Sequence, residues 1–166
     1  MLFGAGKLNK YLNSWLEEHG FECTVEFDLD FTYDQLNNII HYTLIVPLDH
    51  DEMFMKVCQE YREELVDVDC FLLSFFHEIG HWVTEDMWSP EEWDEYDKYV
   101  ESLPTPMTDE NFNDYYHYPI EWEATRWACD FMVNNEQLVK NFWEELQPLI
   151  MEFYEKNEVE LDDVSI

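Results

Sequence analysis

The segment Phe75-Phe-His77-Glu78-Ile79-Gly80-His81-Trp82 constrains this chain more than any other. Its spacing predicts a helix. Histidines at i and i+4 then share one face, close enough to hold a single metal ion. Glu78 falls between them and projects beside that ion, where it can take a proton from water. Leu72, Phe75, Phe76, Ile79 and Trp82 form the opposite, buried stripe. Gly80 costs roughly 1 kcal/mol of helix stability against alanine. A small residue there lets another element pack closely against the metal-binding turn. Two histidines and a base leave a catalytic site one ligand short, so a further ligand has to come from elsewhere in the chain.

The candidate lies in Ile120-Glu121-Trp122-Glu123-Ala124-Thr125-Arg126-Trp127-Ala128-Cys129-Asp130-Phe131. Ala124, Trp127, Ala128 and Phe131 make a narrow packing face, and the alanines permit close helix–helix approach. Glu121 lies three residues before Ala124 on the same side, so its carboxylate can reach the first helix. Glu123 is the alternative ligand, its ordinary role being an exposed helix acid. Tyr115, Tyr116, His117 and Tyr118 immediately precede this helix, and His117 or Tyr116 is the candidate donor to an oxyanion. His50, between Asp49 and Asp51, is a lesser candidate for a second metal site. His19 and His41 read as structural or exposed.

The remaining elements follow from periodicity. Leu8 to Leu16 has helical spacing and ends at Gly20. Phe21 to Phe31 alternates apolar with polar residues and predicts one long strand. Ile39 to Val46, closing at Pro47, predicts a second, joined to the first near Asp34–Asn38. Met53 to Leu65 reads as a helix, and Asp67 to Val83 as the next, its aspartates suiting the helix N-terminus. Residues 84–118 form an acidic, partly helical excursion with a turn at Leu103–Pro106. Pro119 starts a helix to about Val133. A last helix spans Glu136 to Lys156, broken near Pro148, and the tail after Asn157 is loose. The order predicts one α+β domain with a small antiparallel sheet. Its parts are 1–50, 51–83, the acidic insertion 84–118, 119–156 and the tail 157–166.

Charge limits the partners. With 39 Asp and Glu against 8 Lys and Arg, the 166-residue chain carries a formal charge of −31. No basic stripe is available to release counterions from a phosphate backbone, which excludes ordinary nucleic-acid binding and disfavours anionic membranes. Four glycines allow neither a GxGxxG turn nor a Walker loop. Aromatic residues make up 17% of the chain, too many for a disordered acidic tail. The start of the chain does not read as a signal peptide, and no apolar run is long enough to span a bilayer. Cys23, Cys58, Cys70 and Cys129 lack CxxC pairing and read as free thiols of a cytoplasmic protein.

His77-Glu-Ile-Gly-His81 followed by Glu121-Trp-Glu-Ala-Thr-Arg-Trp-Ala resembles the ImmA/IrrE-type metallopeptidases, a gluzincin group that pairs HELGH with a later ExEAnxFA helix. The resemblance covers residues 65–133. It implies a minimal zincin-like domain, zinc held by His77, His81 and Glu121, and Glu78 as general base. It also implies a bacterial or mobile-element (phage) setting in which some members cleave repressor proteins. Where the family commonly has Asn or Asp, this chain has Thr125, whose hydroxyl can steady a ligand histidine. The expected function is zinc-dependent hydrolysis of peptide bonds in a basic protein. The alternative is an acidic mimic of nucleic acid that occupies a basic DNA-binding protein and uses zinc only structurally.

Overall fold

The computed structural model describes residues 5–44 and 48–164, with side chains placed over 5–44 and 52–157. Helix α1 (Ala5–Glu18) buries Leu8, Leu12, Trp15 and Leu16 and ends where Gly20 turns the chain at φ 79°. Strands β1 (Thr24–Phe27), β2 (Thr32–Asp34) and β3 (Ile39–Tyr42) follow. Then come α2 (Leu48–Tyr61), α3 (Cys70–Thr84), α4 (Pro90–Glu101), α5 (Asp109–His117), α6 (Pro119–Asn134) and α7 (Glu136–Val164). The architecture is α+β, as the element order predicts.

The sheet departs from expectation in two ways. The strand expected over Phe21–Phe31 is cut back to β1, because Asp28 and Asp30 turn the chain after it, and a separate strand, β2, begins at Thr32. The Asp28 carboxylate accepts from Leu29 N at 2.7 Å and that of Asp30 from Phe31 N at 2.8 Å. The sheet is also mixed rather than antiparallel, in the order β1-β3-β2. β1 runs parallel to β3, with Val25 opposite Ile40, and β2 runs antiparallel to it, with Tyr33 opposite Ile40. The expected connection at Asp34–Asn38 is present, but it joins β2 to β3. Asp34 accepts from Leu36 N and Asn37 N, and Asn38 adopts φ 54°. Val46 and Pro47, where the second strand was expected to close, lie outside the described residues.

Helix α7 passes through Pro148 without a break and continues to Val164, where a loose tail was expected. Proline removes one backbone donor. The turns on either side are held by Phe142, Leu146, Ile150 and Phe153, all buried. α1, α3 and α7 meet in an aromatic core, in which Phe142 touches both Trp15 (ring centroids 4.4 Å) and Phe75 (5.8 Å). This core sits behind α3 and leaves its metal-facing side to α6. Among the described residues, no helix is long and apolar enough to cross a membrane. None of the four cysteines forms a disulfide.

Candidate metal centre

Helix α3 begins at Asp69, whose side chain accepts from Phe71 N at 2.8 Å and so caps the first turn. Twelve of the fifteen residues that follow are buried, most of them apolar. The motif's polar side chains are therefore carried inside with them: His77, Glu78 and His81 are 5%, 6% and 8% exposed. Buried titratable groups need partners, and α6 provides them.

The two helices touch at Gly80 and Ala124. A Cβ at Gly80 would stand 3.0 Å from both Cα and the carbonyl carbon of Ala124, and closer still to its oxygen. That contact brings Glu121, 2% exposed and one turn before Ala124, over the histidine pair. Its Oε1 lies 3.2 Å from His77 Nε2, and its Oε2 lies 3.0 Å from His81 Nε2. One ligating atom from each residue falls within 4.8 Å of the others, so the three side chains could hold a metal ion. Two imidazoles and one carboxylate suit a divalent transition ion and leave a coordination position open.

A further contact orients the set. His77 Nδ1 lies 2.9 Å from the hydroxyl of Thr125, a fully buried residue one turn beyond Glu121. Bonding there fixes the ring and leaves Nε2 directed at the centre. Thr125 thus does what the sequence expected of it. Behind His77, the Phe54 ring packs edge-on at 5.2 Å.

Burial by itself would raise the Glu121 carboxyl and lower the His81 imidazole. Their mutual attraction overrides it, so Glu121 is held well below the usual carboxylate range and His81 is pushed up to about 9. The ion pair thereby supplies internally the positive charge that the carboxylate requires. Glu78 behaves differently. Burial lifts its carboxyl above the usual range, with the His77 and His81 charges opposing and the Glu121 charge reinforcing.

Glu78, His81 and Glu121 open onto a cavity of about 330 Å³, whose other walls include Trp93, Tyr96 and Tyr115. Tyr96, from α4, donates to Glu121 Oε2 at 3.0 Å, and its oxygen lies 3.3 Å from that of Tyr115, from α5. Burial first, then the Glu121 charge, pushes both phenols up. They therefore stay protonated and able to donate.

Tyr96 and Tyr115 thus occupy the place expected for His117 or Tyr116. Tyr116 is buried against Phe54, with ring centroids 4.9 Å apart, and is not among the residues lining the cavity. His117 is exposed, stacks on Trp122 and donates from Nδ1 to the Asn113 carbonyl at 2.7 Å. It follows Tyr115 by two residues, roughly 200° around the helix, so the two cannot face the same side. The same rotation separates Glu123 from Glu121 and decides between them. Glu123 pairs with Arg126 at 3.7 Å beside a different depression. His50 lies outside the residues whose side chains are described. His19 stacks on Trp15, and His41 sits 3.2 Å from Asp28.

Sequence reading passed over Tyr96 because residues 84–118 were read for their charge. The available signal was the recurrence of Trp93, Tyr96 and Tyr99 every third residue, which marks one face of a helix.

Comparison with protein-family models, with curated proteins and with solved structures finds no match for this chain.

Proposed function

We propose that the protein is a zinc-dependent peptidase of the cytoplasm, acting on basic protein substrates, with the metal held by His77, His81 and Glu121. The observation that carries this reading is the convergence of those three ligands, with two of them, His81 and Glu121, lining one open cavity together with the buried Glu78. The motif resemblance to ImmA/IrrE-type peptidases points the same way. Zinc, when bound, polarises a carbonyl and makes water easier to deprotonate. The chain's own groups do the rest. Glu78 takes a proton from water in the cavity and delivers it to the leaving amine, a role suited to a carboxyl whose pKa is lifted by burial. Thr125 holds the His77 ring in one orientation. Tyr115 donates to the oxygen that gains charge as the carbonyl is attacked, while Tyr96 keeps its bond to Glu121. The −31 charge favours approach of basic substrates over acidic ones.

Glu78→Gln is the test. The variant should keep zinc by elemental analysis and lose cleavage of a peptide library, read by mass spectrometry, by about 10²–10⁴-fold. Unchanged cleavage ends the proposal, as does a wild-type protein that takes up no zinc. The mimic reading expects the reverse: no effect of Glu78→Gln, and binding to a basic protein that weakens steeply with salt.

A further inference from the structure

A second and larger depression, of about 950 Å³, adjoins the catalytic cavity. The two share Phe31, Thr32 and Tyr115 as walls, so they lie side by side. Its size lies at the upper end of ligand sites, ~300–1,000 Å³. Met53 of α2, Phe112 of α5 and Leu103, Pro104, Pro106 and Met107 of the α4–α5 connection give it an apolar surface. Asp30, Glu52 and Asp109 bring carboxylates to the same groove from three different elements, against a single cation, Lys56. Lys56 itself lies 4.0 Å from Glu60. The groove thus joins an apolar surface to net negative charge and lies next to the proposed catalytic residues' cavity.

We infer that this groove is the specificity site of the enzyme, binding an extended peptide segment in which arginine or lysine alternates with apolar residues. The inference rests on the peptidase reading, because it is the groove's place beside the Glu78 cavity that makes it a substrate site. Apolar side chains of the segment cover Met53, Leu103 and Phe112, and its cationic heads reach Asp30 and Asp109. Long basic side chains suit such a groove, since their aliphatic stems pack on apolar surface while the charge stays at the edge. An acidic segment is repelled there, which adds discrimination beyond simple attraction.

The test uses the full-length Glu78→Gln protein, loaded with zinc, and a fluorescein-labelled peptide in which arginine alternates with leucine and alanine. Counterparts carry glutamine or glutamate in place of arginine. Anisotropy should show the arginine peptide binding about tenfold more tightly than the glutamine peptide, the size expected of a few exposed charge pairs. Adding Asp30→Asn with Asp109→Asn should remove that preference while zinc content and Tm stay unchanged. Adding Glu17→Gln with Glu18→Gln instead, on exposed α1 positions, should leave it intact. Equal losses in both pairs would show that overall charge is responsible and overturn the inference. So would a glutamine peptide that binds as well as the arginine one. The two readings fail separately. Wild-type cleavage of all three peptides alike removes the groove and keeps the peptidase, whereas groove-dependent binding without any cleavage removes the peptidase.

Discussion

The α3/α6 pair and the α4/α5 pair face each other across the cavity beside Glu78 and are built in opposite ways. In α3, twelve of fifteen residues are buried, the three motif side chains among them. In α4, none is, and α5 buries only Tyr116. The first pair is held by backbone contact at Gly80 and by packed aromatic rings. The second is organised locally by capping boxes, Ser89 with Glu92 and Thr108 with Asn111. The difference matches the two demands on such a site. Metal ligands must be fixed within fractions of an ångström, so they sit on a close-packed platform. Under the proposed function, the other surface would meet protein substrates and would have to stay charged and accessible, and it is polar and lightly attached. Tyr96 spans the two, rooted in α4 and bonded to Glu121.

The contrast breaks most readily at Gly80. Gly80→Ala puts a Cβ where the Ala124 backbone already lies. Backbone cannot swing aside as a side chain can, so α3 and α6 must separate. The expected cost is about 3 kcal/mol of overpacking, offset by the ~1 kcal/mol that alanine gains in helix propensity. Urea denaturation should show that net loss, and zinc content should fall with it as Glu121 is moved away from the histidines. Undiminished stability would mean that the platform yields, and the comparison between a rigid and a loose side would lose its basis.

A smaller effect is expected at the bridge. Tyr96→Phe keeps the ring and its contact with Tyr118 but removes the donor to Glu121 Oε2. Losing a partner of a metal ligand commonly weakens binding by 10–100-fold. The lower end, about tenfold, is expected here because Tyr96 touches only one of the three ligands. Competition with a chromogenic chelator reads this directly, with Tm as the control for folding. Unchanged zinc affinity would show that platform and cover are independent.

What could be read from the sequence divides along the same line. The α3 motif, the small residue at position 80 and the alanine-lined face of α6 all express packing within single helices, and 3.6-residue periodicity reports packing well. Glu121 against Glu123 could not be decided there, since both suit a helix and only the direction of Ala124 toward Gly80 selects one. Tyr96 was further out of reach. It comes from another helix, and the bond that gives it meaning is a tertiary contact across 25 positions. The sheet failed for a different reason. Alternation at period two continues through Asp28–Asp30, but those aspartates bond their own backbone and redirect the chain. Pattern reports which face a residue prefers and says nothing of where a strand stops.

The smallest expected effect sharpens the comparison most. At the start of α4, Ser89 Oγ accepts from Glu92 N at 3.2 Å, and Glu92 Oε2 accepts from Ser89 N at 2.7 Å. Ser89→Ala removes the first of these bonds and costs about 1 kcal/mol of helix stability. In a helix with a buried stripe, that cost would be shared by the whole domain. Since α4 has no fully buried residue, the loss should remain local. Amide exchange in the first turns of α4 should accelerate about fivefold, the factor that ~1 kcal/mol implies. Exchange in α3 and α6, the Tm and the zinc content should hold steady. If α3 amides accelerate together with those of α4, the cover and the platform unfold as one unit, and the light attachment of α4 does not make it independent.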